Sequence, residues 1–217
     1  MPNKSSNKPS YRGLGFRVCA KCGKSKDDGV TLLQCSACGV DFYCGGECQR
    51  ADWPSHKDKC RINRQARERL AASPERTQEV EALRRWTRVH RPTLFYLSLQ
   101  ELGVLQDPSV ADRTLFMVKV RSRPQETNER RRFEITEASP FPIDEVGEAA
   151  PQIRQAIETV RAAHRQPNYG TYMLFVLPDD VLCPPNLIPL DFEMGGVLPM
   201  HHTPKDMIDI VNQGRLL

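Results

Sequence analysis

Cys19 to Cys60 reads CAKCGKSKDDGVTLLQCSACGVDFYCGGECQRADWPSHKDKC, and it holds seven of the chain's eight cysteines together with His56. The spacing is Cys19-x2-Cys22, Cys35-x2-Cys38, Cys44-x3-Cys48 and His56-x3-Cys60. A tetrahedral Zn²⁺ takes four thiolate or imidazole donors, and a short pair lets one piece of backbone deliver two of them to one ion. Four pairs in succession supply donors for two closed sites, so the stretch predicts two structural zinc ions.

A disulfide framework is the competing reading, and it requires an oxidising compartment. The first fifteen residues argue against one. They are polar and basic, with Lys4, Lys8 and Arg12, and contain no apolar stretch that would serve as a signal peptide. We expect residues 1–15 to be a disordered basic N-terminus and the chain to be intracellular, with reduced thiols. The longest clean apolar run is Tyr172 to Leu177, too short to cross a bilayer.

Local patterning suggests how the ligands are presented. Leu32-Leu33-Gln34 and Val40-Asp41-Phe42-Tyr43 read as short strands around the Cys35–Cys38 knuckle, with Gly39 at the tight turn. The pairs Cys44/Cys48 and His56/Cys60 are each four apart, the spacing of one helix face. Pro54 lies between them and is expected to break the chain into two short helices.

The eight ligand positions, together with Tyr43, Gln49, Asp52 and Trp53, resemble the MYND-type zinc finger. That family interleaves its sites. The resemblance therefore implies one ion on Cys19, Cys22, Cys44 and Cys48, and another on Cys35, Cys38, His56 and Cys60; spacing alone leaves a sequential arrangement open. It further implies a protein-interaction adaptor whose finger binds short proline-containing peptides, often of Pro-x-Leu-x-Pro character, in a shallow groove beside the hairpin. Carried over by position, Trp53 supplies the aromatic face, Gln49 an amide for the peptide backbone, and Ser36 a hydroxyl at the knuckle. Each also has a plainer reading: Trp53 as the core of a tiny domain, Gln49 as a solvated helix residue, Ser36 as a conformational choice in a turn. Tyr43 reads as packing. With four protein ligands per ion no coordination position is open, so the metal is structural, and it is expected to supply most of the finger's folding free energy.

Residues 61–104 read as a helical connector. Ser73 before Pro74 is a helix start, followed by apolar Val80, Leu83 and Trp86 at helical spacing. Pro92 is expected to end or kink this helix, and Leu94 to Leu102 to continue as a second apolar helix closed by Gly103. Residues 105–217 read as an α+β domain with a small, mainly antiparallel sheet. Its expected elements are strands at Leu115–Val120, Phe133–Thr136, Tyr172–Leu177 and Leu187–Phe192, a helix of about twenty residues through Val146 to Val160, and a capped helix opening at Thr203. The chain is similar to fungal proteins that pair one N-terminal MYND finger with a further C-terminal domain.

Other chemistry fits the residues less well. MYND fingers occur in SET-domain lysine methyltransferases, but no Asn-His-Ser-Cys-like segment or glycine-rich cofactor loop follows the finger here, which argues against an enzyme. Cys183 reads as a small core residue, Asp179-Asp180 as a turn, and His201-His202 as a pair without metal partners. His90 and His164 read as lying near helix ends beside arginines. A nucleic-acid role would rest on Arg61, Arg64, Arg67, Arg69, Arg84, Arg85, Arg88 and Arg91. These are interspersed with Glu68, Glu75, Glu79 and Glu81, and the net charge is only +4, which suits an ion-paired helix face better than a phosphate stripe. The expected partners are proteins with proline-rich motifs, in nucleus or cytoplasm.

Overall fold

The structure, a computed structural model, describes residues 18–163, 168–179, 185–196 and 202–217. The basic N-terminus at 1–15, together with His164, Asp180, Cys183 and His201, lies outside the described residues.

The cysteine-rich stretch folds first along the chain. β1 (Leu33–Gln34) pairs antiparallel with β2 (Phe42–Tyr43), and the turn between them is closed by Gly39, whose N–H donates to the Cys35 carbonyl at 2.8 Å. Gly39 has φ 68°, the left-handed region where glycine carries no Cβ penalty. Isolated bridges from Val18 to Ser25 and from Cys19 to Phe42 tie the first pair of cysteines onto this hairpin.

α1 (Gly46–Ala71) then runs unbroken for 26 residues with Pro54 inside it. The two short helices expected around Pro54 are one, and the reason lies in position. Pro54 removes only the bond to the carbonyl of Arg50; both residues are exposed, so water can take up that acceptor. Cys48 on one side and His56 and Cys60 on the other are zinc-ligand positions, which pin both flanking turns. Zinc binding of on the order of 10 kcal/mol per site outweighs the roughly 3 kcal/mol that a proline costs in a helix. Cys44 lies ahead of α1, so the third ligand pair enters from a bend and only Cys48 is helical.

The stretch read as a connector is divided. Residues 61–71 continue α1, and after a corner at Ala72–Ser73 the chain enters α2 (Pro74–Leu102). Ser73 caps it by accepting the Arg76 N–H, and Gly103 closes it at φ 65°. Pro92 again fails to end the helix. It too is exposed, while Leu83, Trp86 and His90 before it and Leu94 and Leu97 after it are buried and hold both turns in place. His90 is consequently mid-helix and fully buried, not a terminal cation.

After the short α3 (Val110–Arg113) come β3 (Thr114–Ser122), β4 (Phe133–Pro142), a 3₁₀ stretch Ile143–Ala149, α4 (Ala150–Ala163), β5 (Tyr169–Pro178), β6 (Asn186–Glu193) and α5 (Pro204–Asn212). The helix expected to span about twenty residues is shorter because Gly147, at φ 71°, breaks helical geometry before Ala150. Thr203 and Asp206 form the reciprocal cap at α5. The four strands order β4-β3-β5-β6, antiparallel except for β3 against β5. This is the expected α+β sheet, with one parallel pair because the β4 hairpin and α4 carry the chain back before β5 begins.

Both sheet faces are covered, which explains why Leu115 to Val120 is nearly all apolar. Phe116, Val118 and Val120, with Tyr172, Leu174 and Val176, face the core that also contains Leu83, Trp86, Leu94 and Leu97 of α2 and Met207 and Val211 of α5. Leu115, Met117 and Met173 point to the other face, under Ile153 and Ile157 of α4. α2 is therefore one wall of the sheet's core. Each large side chain so buried contributes roughly 1.5–3 kcal/mol.

Candidate functional site

The hairpin and α1 bring the eight ligands into two groups: Cys19, Cys22, Cys44 and Cys48, and Cys35, Cys38, His56 and Cys60. Within each group the donor atoms lie within 4.8 Å of one another. The arrangement is interleaved: the first site takes Cys19 and Cys22 from the stretch before β1, Cys44 from the bend after β2 and Cys48 from the first turn of α1, and the second takes Cys35 and Cys38 from the knuckle and His56 and Cys60 from further along α1. The separations are 3.6 Å for Cys22–Cys44, 3.5 Å for Cys44–Cys48, 3.9 Å for Cys35–Cys60 and 3.8 Å between Cys38 Sγ and His56 Nε2. A tetrahedron of Zn–S bonds near 2.3 Å has edges of about 3.8 Å. The donor sets therefore fit zinc, and the finger has two zinc-binding sites, one built from four cysteines and the other from three cysteines and a histidine. The second is buried at all four ligands; the first has Cys22 exposed.

Thiols this close oppose one another's ionisation. Burial raises Cys35, but the backbone N–H groups of Cys38 and Ala37 and the His56 side chain bring it down to about 6. Burial and the neighbouring Cys35 push Cys60 up to about 11. In the other group Cys19 is raised by burial yet drawn down to about 7 by backbone N–H groups of Cys44, Cys22 and Lys21, while Cys44 pushes Cys48 up to about 12. A divalent cation relieves that conflict, since every coordinating thiol is then deprotonated.

Two residues around the metal escaped the motif reading. Asp41 stands 2.8 Å from His56 Nδ1 and 3.0 Å from Lys59 Nζ, which places a carboxylate behind the imidazole on the side away from Cys38. No spacing rule marks Asp41. Arg67, near the end of α1, donates to the Ser36 carbonyl at 3.4 Å and so ties the helix extension to the knuckle. Tyr43 is buried, as expected for packing, and donates to Asp52 Oδ2 at 2.8 Å. Burial and the Asp52 carboxylate hold its phenol above the usual range.

The peptide-groove candidates fall on the surface. Trp53 is 47 % exposed, so it is not the core residue of the finger; Tyr43 has that place. Gln49 is half-buried one helical turn before Trp53, on the same face of α1, and Ser36 is exposed on the knuckle. Leu33 and Val40 of the hairpin region are also exposed. Among the connector arginines, Arg61, Arg64 and Arg85 lie against Asp58, Glu68 and Glu81, the last pair 3.9 Å apart, and Arg85 also reaches Glu129 at 3.0 Å.

Comparison with known proteins agrees with the metal geometry. The sequence profile of the MYND finger family matches residues 19–60. SET domain and MYND-type zinc finger protein 6 of Schizosaccharomyces pombe is 42% identical over 45 residues, covering 21% of this chain and 9% of that protein. Histone-lysine N-methyltransferase SMYD3 of Homo sapiens is 44% identical over 46 residues, 20% of this chain and 10% of that protein. Egl nine homolog 1 of Homo sapiens is 42% identical over 52 residues, 24% and 11% respectively. The chain thus spans about a tenth of the length of these curated relatives. No solved structure matches it.

Proposed function

This chain carries a MYND-type zinc finger, a protein-interaction module, over residues 19–60, and from that premise we propose that it is an adaptor whose finger holds short proline-containing peptides against Trp53. The observation that carries this reading is the exposure of Trp53. A two-zinc finger with Tyr43 at its centre leaves a large aromatic 47 % open to solvent, with the Gln49 amide one turn away on the same helix. An extended proline-rich segment loses little entropy on binding and stacks on such a face, while an amide bonds its backbone. Ser36, exposed at the knuckle, supplies a further hydroxyl.

The finger itself is not catalytic, because each ion is saturated by four protein ligands. The differently named relatives share this stretch, which supports treating it as a portable module and gives no ground for assigning their chemistry to residues 105–217. We read the whole chain as a non-enzymatic, intracellular adaptor of nucleus or cytoplasm.

The test is an NMR titration of the zinc-loaded full-length protein with a Pro-x-Leu-x-Pro peptide. The two indoles give an internal control: Trp53 is on the surface and Trp86 is fully buried. Saturable movement of the Trp53 indole with Trp86 unmoved is expected, and Trp53→Ala should weaken binding by about ten-fold or more, the behaviour of an aromatic hot spot. An unmoved Trp53 signal in a folded, zinc-loaded protein refutes the proposal.

A further inference from the structure

α1 presents a second face that the groove does not use. Asp52, Ser55 and Lys59 are spaced by three and four residues and share it, roughly 90° around the helix from Gln49 and Trp53. This face looks across a cleft of about 250 Å³ toward α4 and β6. Val40 and Phe42 of the finger form one apolar wall; Ala156 and Val160 of α4, with Pro189 of β6, form the other. Asp41, Asp52 and Lys59 supply the charge.

Those charges discriminate between occupants. Lys59 is already taken by Asp41 at 3.0 Å, and the same carboxylate oxygen lies 2.8 Å from His56 Nδ1. Asp52 accepts from the Tyr43 hydroxyl through Oδ2 alone, and among the described residues its Oδ1 has no partner. The cleft therefore carries one carboxylate more than it has ammonium groups. An acidic side chain would meet repulsion there, and a purely apolar one would strip water from Asp52 without replacing its hydrogen bonds. A lysine or arginine satisfies both requirements, its methylene stem lying along Val40, Ala156 and Val160 and its charged head reaching Asp52.

We propose that this cleft is a specificity pocket for a basic residue flanking the proline motif of the partner peptide, bound between the finger and α4. The inference rests on the peptide reading of the Trp53 face and adds to it. A quarter turn around a helix of this width is roughly 8–9 Å, which an extended chain covers in two or three residues at about 3.3 Å each. The basic residue should accordingly stand about two to four positions outside the prolines.

Calorimetry on the zinc-loaded full-length protein tests this with Pro-x-Leu-x-Pro peptides carrying alanine, arginine or glutamate at those flanking positions, on either side. Arginine should improve the affinity on the order of tenfold over alanine, and glutamate should weaken it. Asp52→Asn keeps the acceptor for Tyr43 but removes the charge, and should abolish the arginine gain while leaving the alanine peptide unaffected. Thr159→Arg, on the α4 wall and outside the zinc finger, should do the same by filling the cleft. Binding of the alanine peptide with no preference among flanks, or a preference that survives both substitutions, overturns the pocket while leaving the groove intact. Loss of all three peptides defeats the groove reading and the pocket with it. An arginine gain that emerges only when residues 1–15 are removed would assign the cleft to the chain's own lysines and arginine, and would likewise overturn the proposal.

Discussion

Stripping the zinc should unfold the finger and leave the sheet domain standing. Apart from the ligands, the finger buries only Val18 and Tyr43 among its described apolar side chains, worth together roughly 3–6 kcal/mol. Fixing its backbone costs about 1 kcal/mol or more for each ordered residue. Metal binding, on the order of 10 kcal/mol per site, is therefore what folds residues 18–60. The remainder stands differently: Val80, Leu83, Trp86, Leu94, Leu97, Leu99 and Leu102 of α2 are buried in the sheet's core without any metal, which amounts to gross burial on the order of 10–20 kcal/mol. The links between the two units are modest. The Thr77 hydroxyl donates to the Leu70 carbonyl at 2.8 Å, and Leu70 packs at the edge of the core. A Trp53→Phe background leaves Trp86 as the sole indole, so its fluorescence follows the sheet domain while far-UV circular dichroism follows α1. Chelation, or Cys44→Ser, should remove up to about a third of the helical signal, the share of α1 among the helices. The Trp86 melt should stay cooperative. If Trp86 loses its transition along with the ellipticity, the chain is one folding unit and the division at the α1–α2 corner is wrong.

Two further perturbations probe the sheet domain. His90 is buried, with Nε2 2.8 Å from the Arg130 carbonyl, an acceptor, so that nitrogen carries a proton, and burial favours the neutral ring. Burial lowers its pKa from the ordinary 6.5; the hydrogen bond to the Arg130 carbonyl opposes that shift in part, and the Arg130 charge adds to it. The unfolded chain then binds more protons below about 6.5, so this group's contribution is intact above that pH and is lost as pH falls toward the folded value. His90→Gln should flatten the dependence of melting temperature on pH between about 6.5 and 5 relative to wild type, and parallel profiles would show that His90 is not its source. Gly170 pairs with Phe192 across β5 and β6, and a methyl group there would overlap the buried Phe192 ring. Gly170→Ala should cost about 1–3 kcal/mol by overpacking, and an unchanged melting temperature would refute that ring placement.

The metal sites were legible in the sequence because short-range spacing decides them. Two donors on one turn or knuckle need no knowledge of the rest of the fold, and the interleaved grouping that the MYND resemblance implied is the grouping the donor atoms form. Strands and caps were legible for a similar reason: Ser73, Gly103 and Thr203 act on their own neighbours. What the sequence did not disclose is tertiary. Pro54 and Pro92 look like helix breakers until it is known that both face solvent and that buried or metal-bound turns flank them. His90 next to Arg91 resembles a surface cation until α2 is seen to line the sheet's core. Asp41 is one more polar residue in a strand until His56, far along the chain, arrives beside it.

The unbroken α1 gives these misread prolines a consequence for function. Had Pro54 ended the helix, the finger would hang on a flexible joint, and its Trp53 face would have no fixed relation to residues 105–217. Instead one helix carries Cys48, His56 and Cys60 at its start and Arg67 and Leu70 near its end. Arg67 reaches back to the knuckle, and Leu70 forward to the core of α2 and the sheet. The metal sites and the sheet domain thus grip the same rod, and the orientation of Trp53 is set at the Ala72–Ser73 corner. On this reading the C-terminal domain aims the finger and supplies α4 as the far wall of its cleft. A partner peptide would be selected by two surfaces, only one of which belongs to the zinc finger.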